Sequence, residues 1–169
     1  PLYRDPKIIL DAYGDWVSGP PRNLCVVAYV SMHDSTRRMA EHLVDACLRR
    51  GVRAEQVELS GADVGRLAML LVDAATIAVG TPTVNGAAHP LAAYAAILAN
   101  LLKPKARHLA VFGSYGWGGR AVEQLQSLVP NLKVEVLPPV LCKGLPRQAD
   151  REALDRMADE IARRHAGLP

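Results

Sequence analysis

Short apolar runs alternate with amphipathic stretches along most of this chain of 169 residues. The run 24–30 is apolar throughout, which is typical of a central parallel strand covered on both faces. The stretch 35–50 then places apolar residues at helical spacing, with Ser35 as a cap and Gly51 as the stop. The alternation continues with predicted strands at 54–59, 76–80, 108–113 and 133–137, and predicted helices at 63–72, 90–102, 118–128 and 150–164. Five strands alternating with five helices predict an α/β fold, a doubly wound parallel sheet between two layers of helices.

The first 21 residues stand apart from this alternation. Pro6 is suited to the first turn of a short helix, and the Ser-Gly-Pro-Pro break at 18–21 is typical of a linker. The apolar residues of that helix share one side: Ile8, Ile9, Ala12, Tyr13 and Trp16. Two interpretations stay open, because 1–21 can be the terminal helix and linker of a preceding domain or a helix packed on the domain formed by 22–169.

Composition disfavours several classes of protein. The net charge is +3, but the basic residues are scattered and only 5% of residues are aromatic, so nucleic acid is not an expected partner. The three cysteines, Cys25, Cys47 and Cys142, lack the spacing of a zinc site or a disulfide framework. No apolar run approaches the ~20 residues of a membrane span, and the first residues lack a signal-peptide layout. We therefore expect a soluble, cytoplasmic protein with reduced cysteines and no membrane contact.

The loop 31–36 connects the first predicted strand to a helix, and a helix N-terminus favours an anion. Ser31, Ser35 and Thr36 carry hydroxyls that can donate to phosphate oxygens, whereas ordinary capping by Ser35 would explain only one of them. No GxGxxG or GxxxxGK[ST] pattern is present, so a monophosphate fits better than a dinucleotide or a nucleoside triphosphate. The predicted phosphate-binding residues are Ser31, Met32, His33, Asp34, Ser35 and Thr36.

Two more loops follow the third and fourth predicted strands, at the edge of the sheet where ligands bind in such folds. The loop 80–86 is stiffened by Pro82 and closed by an Asn-Gly turn pair. Its backbone amides and Asn85 could bind the polar edge of a flat ring, but an ordinary tight turn would have the same residues. The loop 113–119 surrounds two aromatic residues with four glycines, which lets a ligand approach the backbone closely. A phosphate socket, a polar edge and an aromatic wall together describe an FMN site. The predicted residues are Pro82, Thr83, Val84, Asn85, Gly86, Ser114, Tyr115, Gly116, Trp117, Gly118 and Gly119.

Other proteins with this alternation are disfavoured because their motifs are missing. A phosphoacceptor receiver domain needs acidic residues where the first and third strands end, and this chain has Val30-Ser31 and Gly80-Thr81 there. A hydrolase needs a GxSxG nucleophile elbow, which is absent. The five histidines form no cluster in the sequence, so we predict no catalytic residue and no metal ligand in this chain.

The motifs SMHDST at 31–36, TPTVN at 81–85 and GSYGWGG at 113–119 resemble the flavodoxin domain of flavodiiron proteins, the A-type flavoproteins. The resemblance covers essentially the whole chain, and residues 1–16 resemble the end of the diiron β-lactamase-like domain that precedes it in that family. It implies a flavodoxin-like three-layer αβα sandwich with a five-stranded parallel sheet of order 2-1-3-4-5. It also implies FMN, with its phosphate on 31–36 and its isoalloxazine ring between the other two loops.

The resemblance further implies an electron-transfer domain that is one part of an oxidoreductase. In the family, FMN relays electrons to a diiron centre that reduces oxygen or nitric oxide, and rubredoxin or a flavin or NAD(P)H reductase module supplies them. Two positions depart from the family pattern, Asp34 in place of glycine and Val84 in place of an aromatic residue, and both predict weaker flavin binding. The departures leave open a docking module that has lost flavin, and the fold leaves open a stand-alone NAD(P)H:quinone reductase-like flavoprotein.

Overall fold

Strands and helices alternate along the computed structural model, which describes residues 6–168 without the side chains at positions 12 and 15–18. The strands are β1 (Arg22–Tyr29), β2 (Arg53–Glu58), β3 (Ala74–Val84), β4 (Ala87–Ala88), β5 (His108–Tyr115), β6 (Glu135–Val136) and β7 (Val140–Lys143). The helices are α1 (Pro6–Ser18), α2 (Ser35–Arg49), α3 (Val64–Asp73), α4 (Pro90–Leu102), α5 (Ala121–Ser127) and α6 (Gln148–His165). None of the described helices is long and apolar enough to cross a bilayer.

The central sheet has the order β2-β1-β3-β5-β6, and all these neighbours run parallel. Because β5 and β6 are the fourth and fifth predicted strands, the predicted order 2-1-3-4-5 is confirmed. β1 lies inside the sheet, where Val27 pairs with Gln56 on one side and with Ala78 on the other. Its last six residues are buried, as its continuous apolar run predicts.

Two apolar cores flank the sheet, because successive strand residues point to opposite faces. Val26 and Ala28 of β1 pack in the core beneath α3, α4 and α5, together with Leu67 and Leu125. Cys25 and its neighbours on the other face pack in the core beneath α2 and α6. This is the predicted three-layer αβα sandwich. The three cysteines are buried and free.

At the edge of the sheet next to β5, the structure has two short strands, β6 and β7, where the sequence predicts one. β6 pairs with the start of β5 at His108 and Leu109, and β7 pairs with the end of β5 from Phe112 onward. Pro138 and Pro139 lie between them, and proline has no N–H to donate to a sheet ladder. The prediction of a single strand at 133–137 therefore misses β7, whose carboxyl end lies beside that of β5.

The third strand is longer than predicted. β3 continues to Val84 and pairs with the antiparallel β4 across the two-residue turn of Asn85 and Gly86. Both turn residues have positive φ, 50° and 78°, which is the backbone of a type I′ hairpin and the reason Asn-Gly is favoured there. The predicted turn is confirmed, and the chain before it is strand rather than loop.

The helix predicted after Pro6 is present as α1; of its described apolar residues on the predicted side, Ile8 and Tyr13 are exposed and Ile9 is half-buried. Residues 1–5 and the side chains of Ala12 and Trp16 lie outside the described part of the chain. The division into 1–21 and 22–169 therefore stays a prediction.

A buried histidine joins the end of α6 to the amino edge of the sheet. The Nδ1 of His165 lies 2.8 Å from the Oδ1 of Asn23, and its Nε2 lies 2.7 Å from the Thr76 hydroxyl. The amide of Asn23 donates to the Gly51 carbonyl, so its oxygen faces His165 and the Nδ1 of His165 must be the donor. Burial, reinforced by the neighbouring His108 ring, lowers the pKa of His165 to about 4.

We expect this histidine to make the fold acid-sensitive. Its pKa is lower in the folded chain than the ~6.5 of an unfolded histidine, so unfolding takes up a proton between those values and stability falls as pH drops through that window. The expected loss is about 2 kcal/mol between pH 7 and pH 5. Urea unfolding at both pH values measures it, and His165→Gln should remove most of the difference. An equal pH dependence in wild type and variant would contradict this origin.

Candidate functional site

A cavity of about 520 Å³ opens at the carboxyl edge of the sheet, which is within the usual range for a small-molecule site. The carboxyl ends of β3 and β5 and the loops after β1, β5 and β7 all reach it, because these parallel strands end at the same edge. None of the described residues that line it is an aspartate, glutamate, lysine or arginine. The lining residues are Ser31, Met32, His33, Ser35, Thr36, Pro82, Thr83, Val84, Ser114, Tyr115, Gly116, Gly144 and Leu145.

The first loop places three hydroxyls around the N-terminus of α2. Ser35 and Thr36 are its first two residues and are buried, and the Thr36 hydroxyl lies 3.4 Å from that of Ser114. The Ser31 hydroxyl accepts the backbone N–H of Arg37 at 3.3 Å, which leaves its own hydrogen free to be donated. The loop therefore turns hydroxyl donors and the positive end of a helix toward one place.

Asp34, the departure in this loop, does not line the cavity. Its backbone is left-handed, with φ 61°, a conformation in which glycine is unstrained and Asp is better tolerated than most residues. Its carboxylate lies 2.7 Å from the Arg37 guanidinium, and both side chains are about half exposed. Arg37 therefore balances the charge that would otherwise oppose an anion at this helix terminus.

The second loop contributes one side of the cavity. Pro82, Thr83 and Val84 line it, whereas Asn85 and Gly86 form the hairpin turn outside the lining. The Thr81 hydroxyl accepts the backbone N–H of His89 at 2.9 Å, and that contact fixes the hairpin against the start of α4.

The third loop is divided between the cavity and the outer surface. Ser114, Tyr115 and Gly116 line the cavity, but Trp117 is 84% exposed and lies outside the lining. Gly118 and Gly119 are also outside it. The assignment of these last three residues to a ligand therefore stays a prediction, and the aromatic ring placed at the cavity is that of Tyr115.

Gly119 holds the second and third loops together. A Cβ there would lie 2.5 Å from the Thr83 methyl and 2.9 Å from the Gly86 carbonyl oxygen, so only glycine permits this approach. The next residue, Arg120, donates its backbone N–H to the same carbonyl at 2.8 Å. The observed helix is shorter than the predicted 118–128: Gly119 and Arg120 make these contacts with the second loop, and α5 begins at Ala121.

Two lining residues, Gly144 and Leu145, are absent from the sequence prediction. They follow β7, and a strand that is not recognised cannot point to the loop at its end. If β7 had been recognised as a parallel strand, this loop would have been expected at the cavity, because the loops at the carboxyl ends of parallel strands share one edge of the sheet.

These residues fit FMN. Neutral hydroxyl donors at a helix N-terminus suit a phosphate monoester, and the remaining walls are mostly apolar. At Gly116, which lines the cavity, a Cβ would meet nothing within 4 Å, so the backbone there faces open space. No group of three His, Cys, Asp or Glu residues in the described part of the chain is arranged to hold a metal ion.

Comparison with known proteins agrees with this geometry. The chain matches the family described as Flavodoxin over residues 27–155. It is 32% identical to a nitric oxide reductase of Moorella thermoacetica, over 96% of this chain and 41% of that protein. The structure of rubredoxin oxygen:oxidoreductase from Desulfovibrio gigas superposes with a TM-score of 0.88 at 28% identity, over 94% of this chain and 40% of that one.

A flavodiiron protein from Giardia intestinalis shares the fold, with a TM-score of 0.80 at 22% identity, over 94% of this chain and 40% of that one. This chain spans 27–41% of the length of curated relatives that it matches. The chain belongs to the flavodoxin family and corresponds to the flavodoxin-like domain of flavodiiron proteins.

Proposed function

We propose that this chain binds FMN and transfers electrons as one part of a flavodiiron-type oxidoreductase. The observation that carries the proposal is the convergence of the Ser31, Ser35 and Thr36 loop with two further loops in one cavity without charged walls. Bound FMN would supply the redox chemistry, and the protein would supply binding and orientation.

The residues of the chain divide the work of binding between the two ends of the cofactor. The hydroxyls of Ser31, Ser35 and Thr36 and the N-terminus of α2 would hold the phosphate. The walls from β3 and β5, which include Val84 and Tyr115, would flank the ring. Val84 replaces an aromatic side chain with a smaller one, so more of the ring contact would depend on Tyr115.

Partners are proposed from the relatives, because this chain spans only part of their length. A nitric oxide reductase and a rubredoxin-oxygen oxidoreductase are among them, which supports a diiron β-lactamase-like domain as electron acceptor, in the same protein or in a second subunit. The exposed apolar residues Ile8 and Tyr13 of α1 support residues 1–21 as the segment that joins that domain.

Rubredoxin or a flavin or NAD(P)H reductase module is the proposed electron donor. The free, buried thiols support a cytoplasmic location.

Anaerobic reduction of the FMN-loaded chain tests the electron-transfer role. Reduced rubredoxin should bleach the yellow absorbance of the bound flavin faster than that of free FMN, and NADPH alone should leave it unchanged. Direct bleaching by NADPH would favour the quinone reductase-like alternative. If neither reduced rubredoxin nor a reductase module reduces the bound flavin faster than it reduces free FMN, the proposed electron relay is contradicted.

Asp34→Gly should tighten FMN binding by only about threefold. The change removes a negative charge near the proposed phosphate, and glycine adopts the left-handed backbone at this position without strain. The gain is small because Arg37 already pairs with the Asp34 carboxylate at the protein surface. Equilibrium titration with FMN measures the change. A gain of a hundredfold would show that the Asp34 carboxylate opposes the phosphate directly, and a loss of affinity would show that it assists binding.

A further inference from the structure

Residues 144–146, here called the Gly144 loop, follow β7 and form a wall of the cavity through Gly144 and Leu145; this wall belongs to none of the three predicted loops. β7 pairs with the end of β5, with Cys142 opposite Ser114 and Lys143 opposite Tyr115, and so delivers this loop to the cavity. Gly144 turns the chain with φ 72° and donates its N–H to the Tyr115 carbonyl at 3.0 Å. The loop is therefore joined by its backbone to the wall that contains Tyr115.

The same loop is also held from the core. The Cys142 thiol lies 3.3 Å from the Gly144 carbonyl oxygen, to which it donates, and 3.4 Å from the sulfur of Met39 on α2. Burial raises the pKa of Cys142 to about 11, so the sulfur stays protonated and keeps this donor at neutral pH. With Gly144 held at both its N–H and its carbonyl, the following residue, Leu145, has a defined place at the cavity mouth.

Leu145 lines the cavity but is 53% exposed, and Met32 within the phosphate loop 31–36 is similarly exposed and lines the same cavity. A half-exposed leucine at the mouth of a cavity without charged walls retains apolar surface that a ligand can cover. We propose that Leu145 is a cofactor-contacting residue, whose apolar side chain covers bound FMN and slows its release. This inference rests on the FMN binding proposed above.

Three variants test the proposal. Leu145→Ala should raise the Kd for FMN about tenfold, mostly through faster dissociation, because apolar surface is lost from the bound state. Leu145→Met should stay within about threefold of wild type, since it keeps a side chain of similar volume. Leu48→Ala is the matched control, because Leu48 is 52% exposed on α2 and does not line the cavity.

The measurements are FMN fluorescence titration, dissociation kinetics and thermal unfolding of each FMN-free variant. The expected result is weaker binding by Leu145→Ala alone, with unfolding midpoints close to wild type. Wild-type FMN affinity and dissociation rate in Leu145→Ala would overturn the inference while the proposed function stands. If the wild-type chain itself binds no FMN, the proposed function fails and the inference falls with it.

Discussion

Replacing Ser35 and Thr36 together by alanine should weaken FMN binding by at least about a hundredfold, with a much smaller effect on folding. In the proposed assignment each hydroxyl would donate to a phosphate that carries negative charge, and such hydrogen bonds contribute about 1.5–3 kcal/mol each. Among the described residues the Thr36 hydroxyl makes a long contact with that of Ser114, at 3.4 Å, so the folded chain loses little when it is removed.

Riboflavin separates the phosphate contribution from the rest of the site, because it has the same ring without the phosphate. The double variant should bind riboflavin as wild type does, while its preference for FMN over riboflavin should shrink. Ser127→Ala is the control, since this exposed serine lies at the end of α5 and donates to Gln124. Equal FMN affinity in the double variant and in wild type would contradict the phosphate assignment.

Gly113→Ala should destabilise the fold by about 4 kcal/mol or prevent folding, a loss at the upper end for single substitutions. Gly113 lies on β5 opposite Thr81 of β3, at the centre of the sheet. A Cβ at this position would overlap the Thr81 carbonyl oxygen and lie 3.0 Å from its carbonyl carbon. Both atoms are backbone, so the two strands must separate and the cavity above them must change shape.

Gly61→Ala is the matched control, because a Cβ at Gly61 meets nothing within 4 Å. It should change the free energy of unfolding by less than about 0.5 kcal/mol. Urea unfolding followed by circular dichroism measures both variants. A Gly113→Ala chain that unfolds at the wild-type urea concentration would show that β3 and β5 are less closely packed than the structure has them.

Strands with continuous apolar runs can be predicted from the sequence, because burial on both faces favours apolar residues at most positions. β1 and β5 are of this kind, and both lie within a few residues of their predicted bounds. β7 has only four residues and alternates buried with exposed positions at the sheet edge. Directly before it, Pro138 and Pro139 suggest that the chain has left the sheet. Local pattern therefore could not predict β7 or the loop that it positions.

The candidate site shows the same limit. The hydroxyls of 31–36 could be located from sequence, because their place between a strand and a helix determines where they point. Trp117 could not, since a glycine-rich loop can turn a side chain inward or outward, and the structure leaves it 84% exposed. Leu145 is more than a hundred residues from the phosphate loop, and only the pairing of β7 with β5 brings it to the cavity.

Titration of the purified, flavin-free chain with FMN tests the central claim most directly. Bound flavin should lose its fluorescence or shift its absorbance with a stoichiometry of one FMN per chain, and riboflavin should bind much more weakly. Unchanged flavin fluorescence and absorbance at a large excess of FMN would contradict the claim that this cavity is a flavin site.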